Sequence, residues 1–139
     1  MTDSIKIEMR TDSHKQWFAE VWVVIGKTVK SVEFKIDTGC NSVVLSHKTL
    51  KRFGLVESDL AKLPKTSGVQ ASGENHPYLK LGTVSLHQSK NKPICKTEAV
   101  CHATHETHDL IGTEVFMKFC GVIFNLTGNK YMELIKDPT

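Results

Sequence analysis

Two runs rich in Val, Ile and aromatic residues, 17–26 (WFAEVWVVIG) and 29–36 (VKSVEFKI), flank a short Gly-containing turn. This pair constrains the fold more than any other feature of the chain. β-Branched and aromatic side chains fit a pleated, half-buried surface, so two such runs around a tight turn predict a β-hairpin. The second arm delivers Asp37 into the stretch FKIDTGCNSVVLS, where an acid interrupts apolar sequence. A carboxylate removed from water is costly unless something compensates it. Asp37 is therefore either a turn acid at the surface or a group kept for chemistry.

The remaining periodicity is also strand-like. After NSVVL, Ser46 can cap a short helix whose Leu50 and Phe53 fall on one face, and Gly54 suits its left-handed stop. Residues 57–67 are polar, contain one proline and read as a surface loop. The stretch GVQASGENHPYLKLGTVSL has two extended arms around Ser72-Gly73-Glu74-Asn75, a hairpin composition in which a tip glycine permits positive φ and close approach to a ligand. Residues 94–103 form a further strand. A His-rich link, a short apolar strand, a helix over 114–119 and strands at 121–126 and 130–135 complete the chain. The class is all-β, a closed, barrel-like sheet with two small helices. No repeat or domain boundary is visible, and one domain is expected over 1–139 with its core at about 17–135.

Composition removes several classes of function. The net charge of +3 is spread along the chain, and no Lys/Arg stripe alternates with aromatics as a nucleic-acid groove requires. No run of eighteen apolar residues exists for a membrane span, and MTDSIKIEMR carries acids where a signal peptide needs a basic start. A soluble, cytoplasmic protein is expected. Cys40, Cys95, Cys101 and Cys120 are too irregularly spaced for a disulfide framework, so free thiols are expected.

Asp-Thr-Gly by itself is weak evidence, since a D-[ST]-G tripeptide arises by chance in roughly one chain in twenty of this length. Its context is more specific. FKIDTGCNSVVLSHKTLKRFGL, VQASGENHPYLKLGTVSL and DLIGTEVFMKFCGVIFNLTGNKYMEL together resemble, in order and spacing, the catalytic loop, flap hairpin and closing segment of the retropepsin-like aspartic proteases, single-domain relatives of pepsin. The resemblance covers residues 17 to 135.

It implies an aspartic endopeptidase with Asp37 catalytic. Hydrolysis by this route needs two carboxylates on one water, one ionised to accept its proton and one protonated to polarise the scissile carbonyl. Like charges this close share a proton and titrate as a unit. Asp109, before Leu110-Ile111-Gly112, lacks the Thr/Ser-Gly that a second catalytic copy would carry. A homodimer is thus implied, with Asp37 from each subunit across a two-fold axis. By the resemblance, Thr38 holds the two loops together and Gly39 admits substrate backbone. Asn41, Ser72, Gly73, Ile111 and Gly112 bind a peptide or protein substrate, with Ile111 and Gly112 also packing an apolar wall beneath the loop. No cofactor is implied. Cys40 departs from the Ala or Ser more usual at its position, and Asn41 from the Asp of retroviral members. The alternative reading keeps the fold and loses the chemistry: a catalytically inactive dimerisation or peptide-binding module.

Cys95, Cys101, His102, His105 and His108 crowd into fourteen residues. These are zinc-type donors, yet no C-x-x-C knuckle is present, and strand alternation sets Cys95 and Cys101 on one face with His102 on the other. The competing readings are a solvated His-rich loop and a group that titrates near neutral pH and biases the dimer. Phe116, Met117 and Phe119 are expected to pack in the core, and Trp17 and Trp22 against the barrel or a subunit interface.

Overall fold

The computed structural model describes residues 3–69 and 75–137. The expected hairpin tip, with Ser72 and Gly73, lies outside the described residues. In chain order the elements are β1 (Ser4–Thr11), β2 (Trp17–Ile25), β3 (Thr28–Ile36), β4 (Val43–Val44), α1 (His47–Arg52), α2 (Glu57–Leu60) and β5 (Lys65–Val69). They continue with β6 (Asn75–Ser89), β7 (Lys92–His102), β8 (Leu110–Ile111), α3 (Thr113–Phe116), β9 (Gly121–Asn125) and β10 (Tyr131–Ile135).

The strands close on themselves. Neighbours run β2-β3-β8-β4-β7-β6, and β6 returns to β2 through Trp22↔His87, Val23↔Leu86 and Val24↔Ser85, giving a six-stranded barrel. One long strand makes this possible. β6 pairs with β5 near its start and with β2 near its end, and its register against β7 shifts at Lys80/Gly82 and twice more after Leu86. Gly82 has φ +87, a conformation open to glycine and strained for other residues, and such bulges bend a strand around a barrel corner. The interior is aliphatic: Val21, Val23, Phe34, Val43, Leu45 and Leu50 are all fully buried. Closure pairs the six barrel strands with one another and leaves β5 and β9 as the outer strands of the sheet.

Three details depart from the sequence expectations. β1 is a strand, and its alternating Ile5, Ile7 and Met9 point into the core while Lys6 and Glu8 face outward. It pairs with β10 over Ser4–Glu8 and with β2 over Met9–Thr11, so the packed structure begins well before residue 17. The polar stretch 57–67 contains the α2 turn, anchored by buried Leu60, and the start of β5. The last helix is shorter than expected, and Met117 at its end is 80% exposed instead of packed, although Phe116 and Phe119 do lie against the core.

Candidate active site

Asp37 follows β3 directly and is held by backbone on both sides. Its N–H donates to the Ile111 carbonyl at 3.0 Å, its carbonyl accepts from Cys40 N–H at 3.1 Å, and its Oδ1 accepts from Gly39 N–H at 3.0 Å. The loop's direction is set by β8, which runs parallel to β3 (Lys35↔Leu110, Ile36↔Ile111) and antiparallel to β4 (Val44↔Leu110). A two-residue strand wedged between the entry and exit strands of the loop fixes both ends. Asp37 itself stays half-buried. A Cβ on Gly39 would lie 3.3 Å from Asp37 Oδ1, so a side chain there would crowd the carboxylate.

Gly112 explains how the two segments come so near. A Cβ at that position would stand 2.4 Å from Cys40 O and 2.8 Å from both Cys40 C and Ser42 O. All three atoms are backbone and cannot swing aside, so only glycine permits the approach. The contact is then secured by Thr113 N–H to Cys40 O (2.9 Å) and Glu114 N–H to Asn41 O (2.8 Å). Ile111, at 1% exposure, and Gly112 are buried beneath the loop and support it from below.

Two acids that the sequence did not single out as structural hold the other side. Asp109 accepts Ser46 N–H on Oδ1 and the Thr49 hydroxyl on Oδ2, each at 2.7 Å, while its carbonyl accepts Lys35 N–H at 2.8 Å. Its carboxylate is therefore turned to α1. Ser46 caps that helix as expected, its Oγ accepting Thr49 N–H at 3.1 Å and donating to Thr49 Oγ1 at 3.0 Å. Glu106 takes the next two free N–H groups, His47 at 2.8 Å and Lys48 at 3.0 Å. Burial acts to raise the Glu106 carboxyl, but the N–H groups of His47, Lys48 and Thr107 outweigh it and hold the group below its ordinary range. A capping acid sixty residues away leaves no local sequence signal.

Thr38, Gly39 and Asn41 are exposed at the loop's crest, and the Thr38 hydroxyl makes no hydrogen bond to the described residues. Cys40 is half-buried, with its Sγ 3.4 Å from Ser42 O. Burial, with the nearby Asp37 charge adding to it, pushes its thiol up despite the Ser42 hydrogen bond. The thiol is therefore held protonated and poorly nucleophilic.

The His-rich segment resolves into a ring cluster. His102, 3% exposed, stacks edge-on with His76 (5.4 Å between centroids) and Tyr78 (5.2 Å) of β6 and lies 4.9 Å from His105. Its Nδ1 accepts two backbone N–H groups, Thr104 at 3.1 Å and His105 at 3.0 Å. Cys95 and Cys101 share the opposite, inward face of β7, as the alternation predicted. With Nδ1 an acceptor, the neutral ring carries its proton on Nε2 and has no lone pair there for a metal. No grouping of three or more His, Cys, Asp or Glu suited to a metal ion occurs among the described residues. No described helix is long and apolar enough to cross a membrane.

The barrel, the wedged β8 and the acid loop together define a retropepsin-like architecture. The chain is similar to a retropepsin-like aspartic protease from Rickettsia conorii, with 19% identity and a TM-score of 0.62 over 98% of this chain and 94% of that one. At that identity the likeness establishes the fold. No family model matches the sequence, and no curated protein does.

Proposed function

We propose that this chain is one subunit of an aspartic endopeptidase, a single retropepsin-like domain in which Asp37 from each of two copies activates a water for peptide-bond hydrolysis. The observation that carries the proposal is the rigid presentation of Asp37: three backbone hydrogen bonds and the Gly112 approach hold a half-buried carboxylate at the mouth of the loop. Pre-set geometry of this kind is what acid–base chemistry on a bound water needs. The chain supplies one such acid, since Asp109 is engaged with α1.

Two surface features support a second copy as the partner. The Thr38 and Gly39 crest is exposed beside the acid. Beyond it, β9 ends the sheet with Ile123 and Phe124 exposed on successive positions, and Leu126 and Met117 stand nearby in sequence. An unpaired edge with large apolar side chains is a pairing surface. In the dimer the β5–β6 hairpin acts as the flap, and Asn41 contacts substrate backbone. No cofactor takes part, and the free thiols fit a cytoplasmic setting.

Asp37→Asn tests the assignment. It should abolish cleavage of an unstructured protein substrate while leaving the dimer and its melting temperature intact. Turnover equal to the parent would reject it.

A further inference from the structure

β8 is two residues long, too short for its own ladder to fix its place, yet the Asp37 amide is held by it through the Ile111 carbonyl at 3.0 Å. Its position is set from outside, at each end. At the C-terminal end Gly112 packs on Cys40. At the N-terminal end stands Asp109, whose carbonyl accepts Lys35 N–H of β3 at 2.8 Å and whose carboxylate accepts Ser46 N–H and the Thr49 hydroxyl, each at 2.7 Å. Ser46 and Thr49 are both buried, so leaving these donors without their acceptor is costly.

α1 is capped without Asp109. The first-turn N–H groups of His47 and Lys48 go to Glu106, that of Thr49 goes to Ser46 Oγ, and Leu50 N–H returns to the Ser46 carbonyl. The Asp109 carboxylate takes the amide of the cap residue itself and a side-chain hydroxyl, so what it ties down is its own segment. From Asp109 to Ile111 the chain covers two strand residues, about 7 Å. A shift at one end of so short a strand arrives at the other, and a slip by one residue would exchange buried Ile111 for half-buried Leu110.

We propose that Asp109 is a positioning residue for Asp37: its carboxylate, fastened to Ser46 and Thr49, pins the register of β8 and with it the place at which the Ile111 carbonyl holds the Asp37 amide. The pin stands on these hydrogen bonds alone. Its catalytic consequence rests on the proposed protease reading, in which a carboxylate displaced by about 1 Å from the water it activates loses on the order of a hundredfold in rate. Substrate binding is spread along the peptide and depends less on one carboxylate, so the loss falls on kcat and leaves KM near the parent value.

Asp109→Ala removes both acceptor oxygens, whereas Asp109→Asn keeps one for Ser46 N–H. Hydrogen exchange reads the pin without recourse to activity. In Asp109→Ala the Lys35 and Asp37 amides should exchange about tenfold faster than in the parent, with Val23 of β2 and Leu50 of α1 unchanged, and Asp109→Asn should restore most of the protection. On fluorescein-labelled casein, kcat should fall about a hundredfold in Asp109→Ala with KM within about twofold, and stay within about tenfold of the parent in Asp109→Asn. Unchanged Lys35 and Asp37 amides, a rise shared equally by Val23 and Leu50, or an Asn variant as impaired as the Ala variant would each overturn the proposal. A parent chain that leaves casein uncut would reject the protease reading, and the exchange rates then decide the pin on their own.

Discussion

Gly112 and Cys40 are packed so closely that the place of a side chain on one is occupied by the carbonyl oxygen of the other, 2.4 Å from where a Cβ would be. The loop bearing Asp37 and the segment bearing β8 are joined through this contact, since the neighbouring residues Ile111 and Thr113 hydrogen-bond to Asp37 and Cys40.

Gly112→Ala should therefore destabilise the chain by about 3 kcal/mol, because backbone has to move to admit the methyl group. Gly128→Ala is the contrast: open space surrounds it, and its φ of +65 costs a residue with a side chain only ~1 kcal/mol. Urea titrations of the two variants measure the difference. Equal midpoints would show that the loop tolerates a wider approach.

Glu106 should contribute acid sensitivity to α1. Its carboxyl is held below the ordinary range in the folded chain, so its contribution is complete above an unfolded value of ~4.3 and is lost as pH falls through the lower folded value. Melting temperatures between pH 6 and 3 should show a shallower acid decline for Glu106→Gln than for the parent. A parallel decline would mean that the His47 and Lys48 N–H groups draw nothing from this charge.

On the β9 edge, Ile123→Lys should weaken self-association by at least about tenfold, or ~1.4 kcal/mol, with little change in melting temperature. Ile123 is 48% exposed, so the subunit loses little when it is replaced. Sedimentation across a concentration series reads the outcome; an unchanged dimer constant would move the interface elsewhere.

Alkylation should rank the cysteines by burial. Cys101 is fully buried, and desolvation, with Glu106 nearby, pushes its thiol up to about 11. At pH 8 roughly one part in a thousand is thiolate even before access is counted. Iodoacetamide followed by mass spectrometry should modify exposed Cys120 first and Cys101 only on unfolding. Early labelling of Cys101 would reveal an opening at the end of β7.

Local alternation was legible without coordinates. The β2–β3 hairpin, the Ser46 cap, the left-handed Gly54 (φ +82) and the arrival of Asp37 at a strand end all follow from residues that are near one another in the chain. β1 was legible too, since IKIEM alternates as cleanly as any strand here. What only tertiary structure decided is which distant groups meet. Asp109 looked like a failed second catalytic acid and is a clasp on Ser46 and Thr49. Glu106 belonged to a polar link and became a cap on a helix some sixty residues upstream. The physical reason is one of range: strand periodicity and caps are written in neighbouring residues, whereas a buried polar group takes whichever partner the closed barrel brings to it.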